Sequence, residues 1–300
     1  MSAHTDRPLA AIAMRVAATL LLSAMFALAK VAQERGAHLV EVLFVRQSVM
    51  ILPVLAIAAL GPGLASLRTA RPMAHVRRTA AGLTGMALNF ATVALLPLAE
   101  AQSIWFAIPL FATILAAIWL KETVGLHRWG AVVVGFVGIL IVFQPGGKAL
   151  PPLGLAIGLA SALMVSITAI LVRQIGRTEP SLTTVFWFGV ISSAILVVPF
   201  ALIVQPHTGH VWLLLLATGV VGSLGQIALT FSLRFAPVSV VAPIDYASLV
   251  WAVGFGVLFF NAWPSPATWL GTPIVIASGA YIVWREHRRR AVRTDVATAD

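Results

Sequence analysis

Two apolar runs, Ile104–Leu120 and Trp129–Gln144, contain no charged residue and are joined by a short charged link from Lys121 to Arg128. Each is close to the roughly 17–25 residues that cross a hydrocarbon core as a helix. The pattern recurs along the chain and predicts ten spans, at 10–30, 40–60, 76–97, 102–120, 128–144, 151–171, 182–204, 210–232, 238–260 and 267–284. Turn chemistry separates them, at Gly61-Pro62-Gly63, Pro145-Gly146-Gly147, Pro151-Pro152, Gln205-Pro206 and Pro264-Ser265-Pro266. The runs are continuous, whereas a β-barrel needs alternating strands of about 10 residues. Helices, which satisfy their own backbone in lipid, are what remains. With 60% hydrophobic and 10% charged residues among 300, a soluble domain has too little polar surface to cover this chain. The expected class is an all-α integral membrane protein.

The formal net charge of +10 is distributed among loops and the C-terminal end, which makes it a topology signal and not a nucleic-acid footprint. Sixteen of the 20 Lys and Arg fall on one side of the ten spans; Lys30, Arg35 and Lys148 fall on the other, and Arg46 lies within a span. Both termini are therefore expected in the cytoplasm, as an even number of spans requires. The chain has no cysteine, so neither a disulfide framework nor a thiolate metal site is available. No metal-ligand spacing, phosphate loop or nucleophile motif occurs in a suitable context. An enzyme is not expected, nor a cofactor, nor a metal.

The chain repeats itself. Gly82, Gly85 and Asn89 match Gly219, Gly222 and Gln226 at an offset of 137, and Gly130 and Gly138 match Gly271 and Gly279 at 141. The expected division is a first five-helix repeat at 1–148, a second at 149–285 and a basic tail at 286–300. An odd number of spans per copy inverts the second copy. Inverted repeats suit transporters, whose halves exchange shapes around a central site.

Several segments resemble the EamA-type members of the drug/metabolite transporter superfamily. They are Ala107-Ile108-Pro109-Leu110-Phe111, Leu120-Lys121-Glu122, Arg128-Trp129-Gly130, Gly135-Phe136-Val137-Gly138 and Ala242-Pro243-Ile244-Asp245-Tyr246. The resemblance covers about residues 10–285. It implies ten helices in two inverted five-helix repeats with a cavity between them, in the inner membrane. It also implies a small-molecule substrate: an amino acid or metabolite for export, or a cofactor-like compound such as riboflavin or S-adenosylmethionine for import. The family's acidic partner of Glu122 is replaced here by Asn261. A channel-like or structural subunit is the rival class, and the scarcity of intramembrane charge argues against it. With no ATPase segment, a substrate or proton gradient must supply the energy. Oligomeric state is not legible.

Candidate site residues are the polar groups that a membrane should have excluded. Asp245, well inside the ninth span, costs roughly 2.5–3.5 kcal/mol to insert as an ion. It reads either as a proton- or amine-binding carboxylate or as a structural partner of Arg46 or Arg234. Arg46 reads as an anchor for a substrate carboxylate or phosphate, or as a side chain snorkelling outward beside Glu41. Lys30 poses the same choice. Asn89 and Gln226 hold equivalent places in the two repeats. Glu100 and Gln102 lie at an outer turn, as a gate contact or a solvated cap. Trp105, Phe106, Trp187, Tyr246 and Trp251 are candidates to line a cavity or to serve packing and interfacial roles. Pro109 and Pro243 fall in equivalent spans and are expected to kink them as paired hinges.

Overall fold

A computed structural model describes residues 8–144, 150–236 and 238–297. Twelve helices follow in order: α1 (Pro8–Glu34), α2 (Leu39–Leu60), α3 (Pro72–Leu95), α4 (Leu98–Trp105), α5 (Ile108–Ile118), α6 (Leu126–Phe143), α7 (Pro152–Ile175), α8 (Ser181–Ile203), α9 (Gly209–Phe235), α10 (Val238–Val241), α11 (Ala247–Phe260) and α12 (Pro266–Ala297). Two 3₁₀ turns, Leu64–Leu67 and Ala242–Tyr246, complete the described residues, which contain no strand. The face of the bundle holding the start of α1 is called here the terminal face, and its opposite the far face.

Nine segments among the described residues are long and apolar enough to cross a membrane. The tenth is α3, whose 24 residues include His75, Arg77, Arg78, Thr79 and Asn89. Its low hydropathy has a structural cause: His75 and Thr79 are fully buried against neighbouring helices. These polar residues of α3 face protein, while Arg77 and Thr84 are exposed. At the C-terminal end α12 runs without a break through the last span and on to Ala297, so the basic segment there is helical in its backbone.

The spans that carry Pro109 and Pro243 are broken, not merely kinked, whereas α2, α8 and α12 run through Pro53, Pro199 and Pro273. Pro109 has no N–H to offer the preceding turn, and the chain tightens there: Ala107 N–H bonds Ile104 O at 2.9 Å and Leu110 N–H bonds Ala107 O at 2.9 Å. These i→i−3 contacts separate α4 from α5. In the ninth span Pro243 opens the 3₁₀ turn Ala242–Tyr246, between the single turn of α10 and the longer α11. Both broken spans end in a left-handed residue, Lys121 (φ 52°) after α5 and Asn261 (φ 48°) after α11. Asn tolerates that conformation readily, which gives Asn261 a structural reason to stand where it does.

Helix pairing follows the duplication. α1 packs along α9 and α3 along α7, while α6 meets α12 and α2 meets α8. Exchanging the halves turns the first pair into the second and leaves the other two unchanged. Several repeat glycines sit at these crossings: a Cβ on Gly85 would meet Met164 of α7, and one on Gly222 would meet Met25 of α1. The α6–α12 crossing is closest, because a Cβ on Gly271 would stand 2.4 Å from the Gly138 carbonyl oxygen. Neither backbone can yield cheaply, so Gly271→Ala is expected to destabilise the protein by about 1–3 kcal/mol. Unfolding in detergent measures the loss; wild-type stability in the variant would show that this crossing is looser than described.

Candidate functional site

The two breaks meet. The rings of Phe106, at the α4–α5 break, and Tyr246, at the α10–α11 break, lie edge to face with centroids 5.2 Å apart. Gly279 of α12 makes room for both: a Cβ there would be 3.4 Å from the Tyr246 hydroxyl, 3.5 Å from Pro109 Cγ and 3.7 Å from Phe106 O. Pro109 and Tyr246 are thus brought to one place; the structure shows both breaks and does not show them moving.

Asp245 stands on the 3₁₀ turn and pairs with Arg15 of α1. The guanidinium fork donates from Nε to Oδ1 and from the second terminal nitrogen to Oδ2, each at 2.6 Å, the geometry that makes Arg–carboxylate pairs strong. Arg15 also reaches Ser232 of α9 at 3.4 Å. Its side chain is 10% exposed and that of Asp245 43%. The partner is therefore not Arg46, and the Arg234 side chain lies outside the described residues. Along α1 the same stripe continues: Thr19 accepts from Trp251 Nε1 at 3.2 Å, and Ser23 donates to Ser248 O at 3.4 Å. Trp251 otherwise borders an apolar crevice of about 540 Å³ with Leu20 and Trp263.

Arg46 does not snorkel. It is 5% exposed and donates to Gln47 Oε1 at 2.5 Å and to the sulfurs of Met25 and Met86 at 3.1 and 3.2 Å. Arg78 of α3 stacks on Phe188 of α8, its guanidinium carbon 3.7 Å from the ring centroid. One helical turn from Arg46 on α2, and one turn from Gly222 on α9, Met50 and Gln226 line a pocket of about 450 Å³ between α2, α8 and α9 that lies toward the terminal face. Asn89, the repeat mate of Gln226, instead accepts a short hydrogen bond from Ser161 of α7.

The far half is tied by polar and aromatic contacts. Lys30 donates to Val93 O and Leu96 O at 2.6 and 2.8 Å, capping the end of α3. Glu41 accepts from His207 at 2.9 Å. Glu100 is 3% exposed and accepts from Thr268 at 2.9 Å, so it is a buried tie and not a solvated cap. Phe26 packs on Phe90 and Trp105, with centroids 5.1 and 4.7 Å apart. Gln102 is half-buried on α4. At the terminal face a matching latch joins the loop before α3 to the loop before α8. Glu179 accepts from Thr69 and pairs with His75, each at 2.5 Å. Trp187 donates to Leu67 O at 2.9 Å, placing this aromatic against the loop.

The sequence profile of the EamA-like transporter family matches twice, over residues 9–144 and 152–284. The chain belongs to this family. A riboflavin transporter of Vibrio cholerae serotype O1 is 32% identical over 242 residues, covering 76% of this chain and 77% of that one. An S-adenosylmethionine uptake transporter of Rickettsia prowazekii is 29% identical, covering 84% and 85%. The pseudopaline exporter CntI of Pseudomonas aeruginosa strain UCBPP-PA14 is 27% identical, covering 72% and 76%. A solved crystal structure shares the fold at a TM-score of 0.63 and 22% identity, over 93% of this chain and 98% of its own. EamA-like relatives are transporters and not enzymes. The protein is accordingly a multi-pass transporter of the inner membrane that takes a small-molecule substrate.

Within this EamA-like bundle, two arginines escaped the sequence reading. Arg15 and Arg78 fall near the starts of the expected spans 10–30 and 76–97 and belong to the sixteen basic residues of one side, whereas the structure turns both into the bundle. A legible signal existed for the first: Arg15, Thr19 and Ser23 recur at four-residue steps, one face of a helix.

The terminal-face latch has a pH signature. Burial works to raise the Glu179 carboxyl, but hydrogen bonds from Thr69 and His75, the His75 charge and the Ala70 amide outweigh it and hold the group below its ordinary value. A carboxyl depressed in the folded state contributes stability above its unfolded pKa and loses it as pH falls through the folded value. Wild type should therefore melt above Glu179→Gln at neutral pH, with the gap closing below the usual carboxylate range. A gap that does not change with pH would contradict the latch.

Proposed function

We propose that the protein is a secondary carrier that moves a small organic metabolite by alternating access, with both termini in the cytoplasm. The observation that carries this reading is the contact between two interrupted spans, one from each half of a duplicated chain. Interrupted helices near the membrane midplane are where carriers place their substrate sites. Pro109 and Pro243 are the hinges in this reading, and the latches at the two faces are what must open in turn.

Asp245 is the coupling group. While ionised it fixes the 3₁₀ turn of the ninth span to α1 through Arg15; protonation removes the ionic half of that fork and frees the turn. The names of the riboflavin and S-adenosylmethionine relatives support uptake of a cofactor-like compound. The pseudopaline exporter supports the opposite direction.

In proteoliposomes the protein should show saturable flux and counter-exchange. Asp245→Asn should abolish gradient-driven accumulation, and full retention would remove Asp245 from coupling. Pro109→Ala with Pro243→Ala should slow transport while membrane insertion remains intact; unchanged rates would remove the hinges. Flux that rises linearly with concentration and never exchanges would replace the carrier with a channel.

A further inference from the structure

Arg46 and Arg78 form a cationic site that lacks an acid. Among the described residues every carboxylate within or beside the spans that has a close partner finds it elsewhere: Asp245 on Arg15, Glu41 on His207, Glu100 on Thr268 and Glu179 on His75. Arg46 is met by an amide oxygen and two thioethers. Arg78 has Nε and one terminal nitrogen buried with no hydrogen-bond partner, and its guanidinium lies over the face of Phe188.

The two groups approach one another. The Arg78 guanidinium reaches the level of Gly82, where a Cβ would be 3.1 Å from it, and Arg46 touches Met86, one turn further along α3. One turn is about 5.4 Å of rise, and the two charges lie within electrostatic reach of each other. Two more buried polar groups flank them without partners, Gln47 Nε2 on α2 and Ser192 Oγ on α8; both residues are fully buried. Ser192 is one turn from Phe188, and Gln47 adjoins Arg46. A scaffold role would have supplied acceptors, because unpaired buried donors and like charges are costly.

We propose that this cluster binds the anionic group, carboxylate or phosphate, of the transported metabolite, with Arg46 and Arg78 as its direct ligands and Gln47 and Ser192 completing the shell. The inference rests on the carrier reading above and adds the substrate class: an organic anion. Arg78 stacked on Phe188 presents its edge donors, the arrangement that suits bidentate oxygens.

Melting of the detergent-purified full chain tests it, with matched probes that differ in the anionic group. The pairs are riboflavin 5′-phosphate and riboflavin, S-adenosylmethionine and its decarboxylated form, and an amino acid and its amide, with inorganic phosphate beside them. A ligand of the native state raises the melting temperature by mass action. The expected result is a rise for at least one member bearing the carboxylate or phosphate that the partner lacking that group does not give. That rise should be lost in Arg46→Gln and Arg78→Gln and partly kept in Arg78→Lys, with Arg78→Gln melting no lower than wild type in the absence of probe. Equal rises for both members of every pair that responds, no rise with any anion, a selective rise that survives both Gln variants, or an Arg78→Gln protein that melts lower without probe would each overturn the proposal. Saturable exchange of a neutral probe would overturn only the anion assignment and leave the carrier standing.

Discussion

A backbone carbonyl or amide inside hydrocarbon must find a partner within the protein, and each one left unpaired costs several kcal/mol. That constraint makes an interrupted membrane helix tolerable only where protein surrounds it. Here both interruptions are surrounded by each other. Phe106 packs on Tyr246, and α12 gives way to both through the missing side chain of Gly279. The tight turns at Ala107 and Ala242–Tyr246 take up amides that Pro109 and Pro243 displace from regular helix. Substituting either break with regular helix would remove the contact between the two interruptions.

The buried acids among the described residues obey the same rule. Glu41, Glu100, Glu179 and Asp245 join elements that are distant in sequence, and the two histidine latches stand at opposite faces. Each ties a loop of one half to a loop or helix end of the other, so any exchange of open faces has to break one while keeping its counterpart. Of the buried cations, Arg15 meets an acid, Lys30 and Arg128 reach backbone carbonyl oxygens, and Arg46 and Arg78 on α2 and α3 have neither an acid nor a backbone carbonyl among their contacts in the described residues. In the proposed reading, the charge of that last pair belongs to what the protein carries.

The spans, the duplication and the family were legible because they rest on long periodic signals. Hydrophobic runs of about 20 residues survive errors of several residues at their ends, and two of the repeated glycines, Gly138 and Gly271, mark a crossing where backbones nearly touch. The partner of Asp245 was not legible. Arg15 lies two turns inside α1, but a sequence window places it beside the N-terminal polar residues and assigns it to the loop count. Arg78 was lost the same way, near the start of a span whose buried His75 and Thr79 lower the hydropathy that marks it. Glu100 looked solvated because it precedes an apolar run; only the packing of the Ser265–Thr268 turn against it shows otherwise. Proline announced a kink in two spans, and the depth of the interruption came from the tertiary contacts around them.

The chain has no cysteine, so spin labels can be introduced in pairs without altering any native thiol. Exposed positions suit both faces: Arg71 with Arg177 at the terminal face, and Arg35 with Thr208 at the far face. Electron–electron distance measurements in lipid, with and without substrate, test alternating access directly. The account predicts two populations in which widening at one face accompanies closure at the other, with substrate shifting their ratio. Distances that never change, or both faces wide at once, would contradict it.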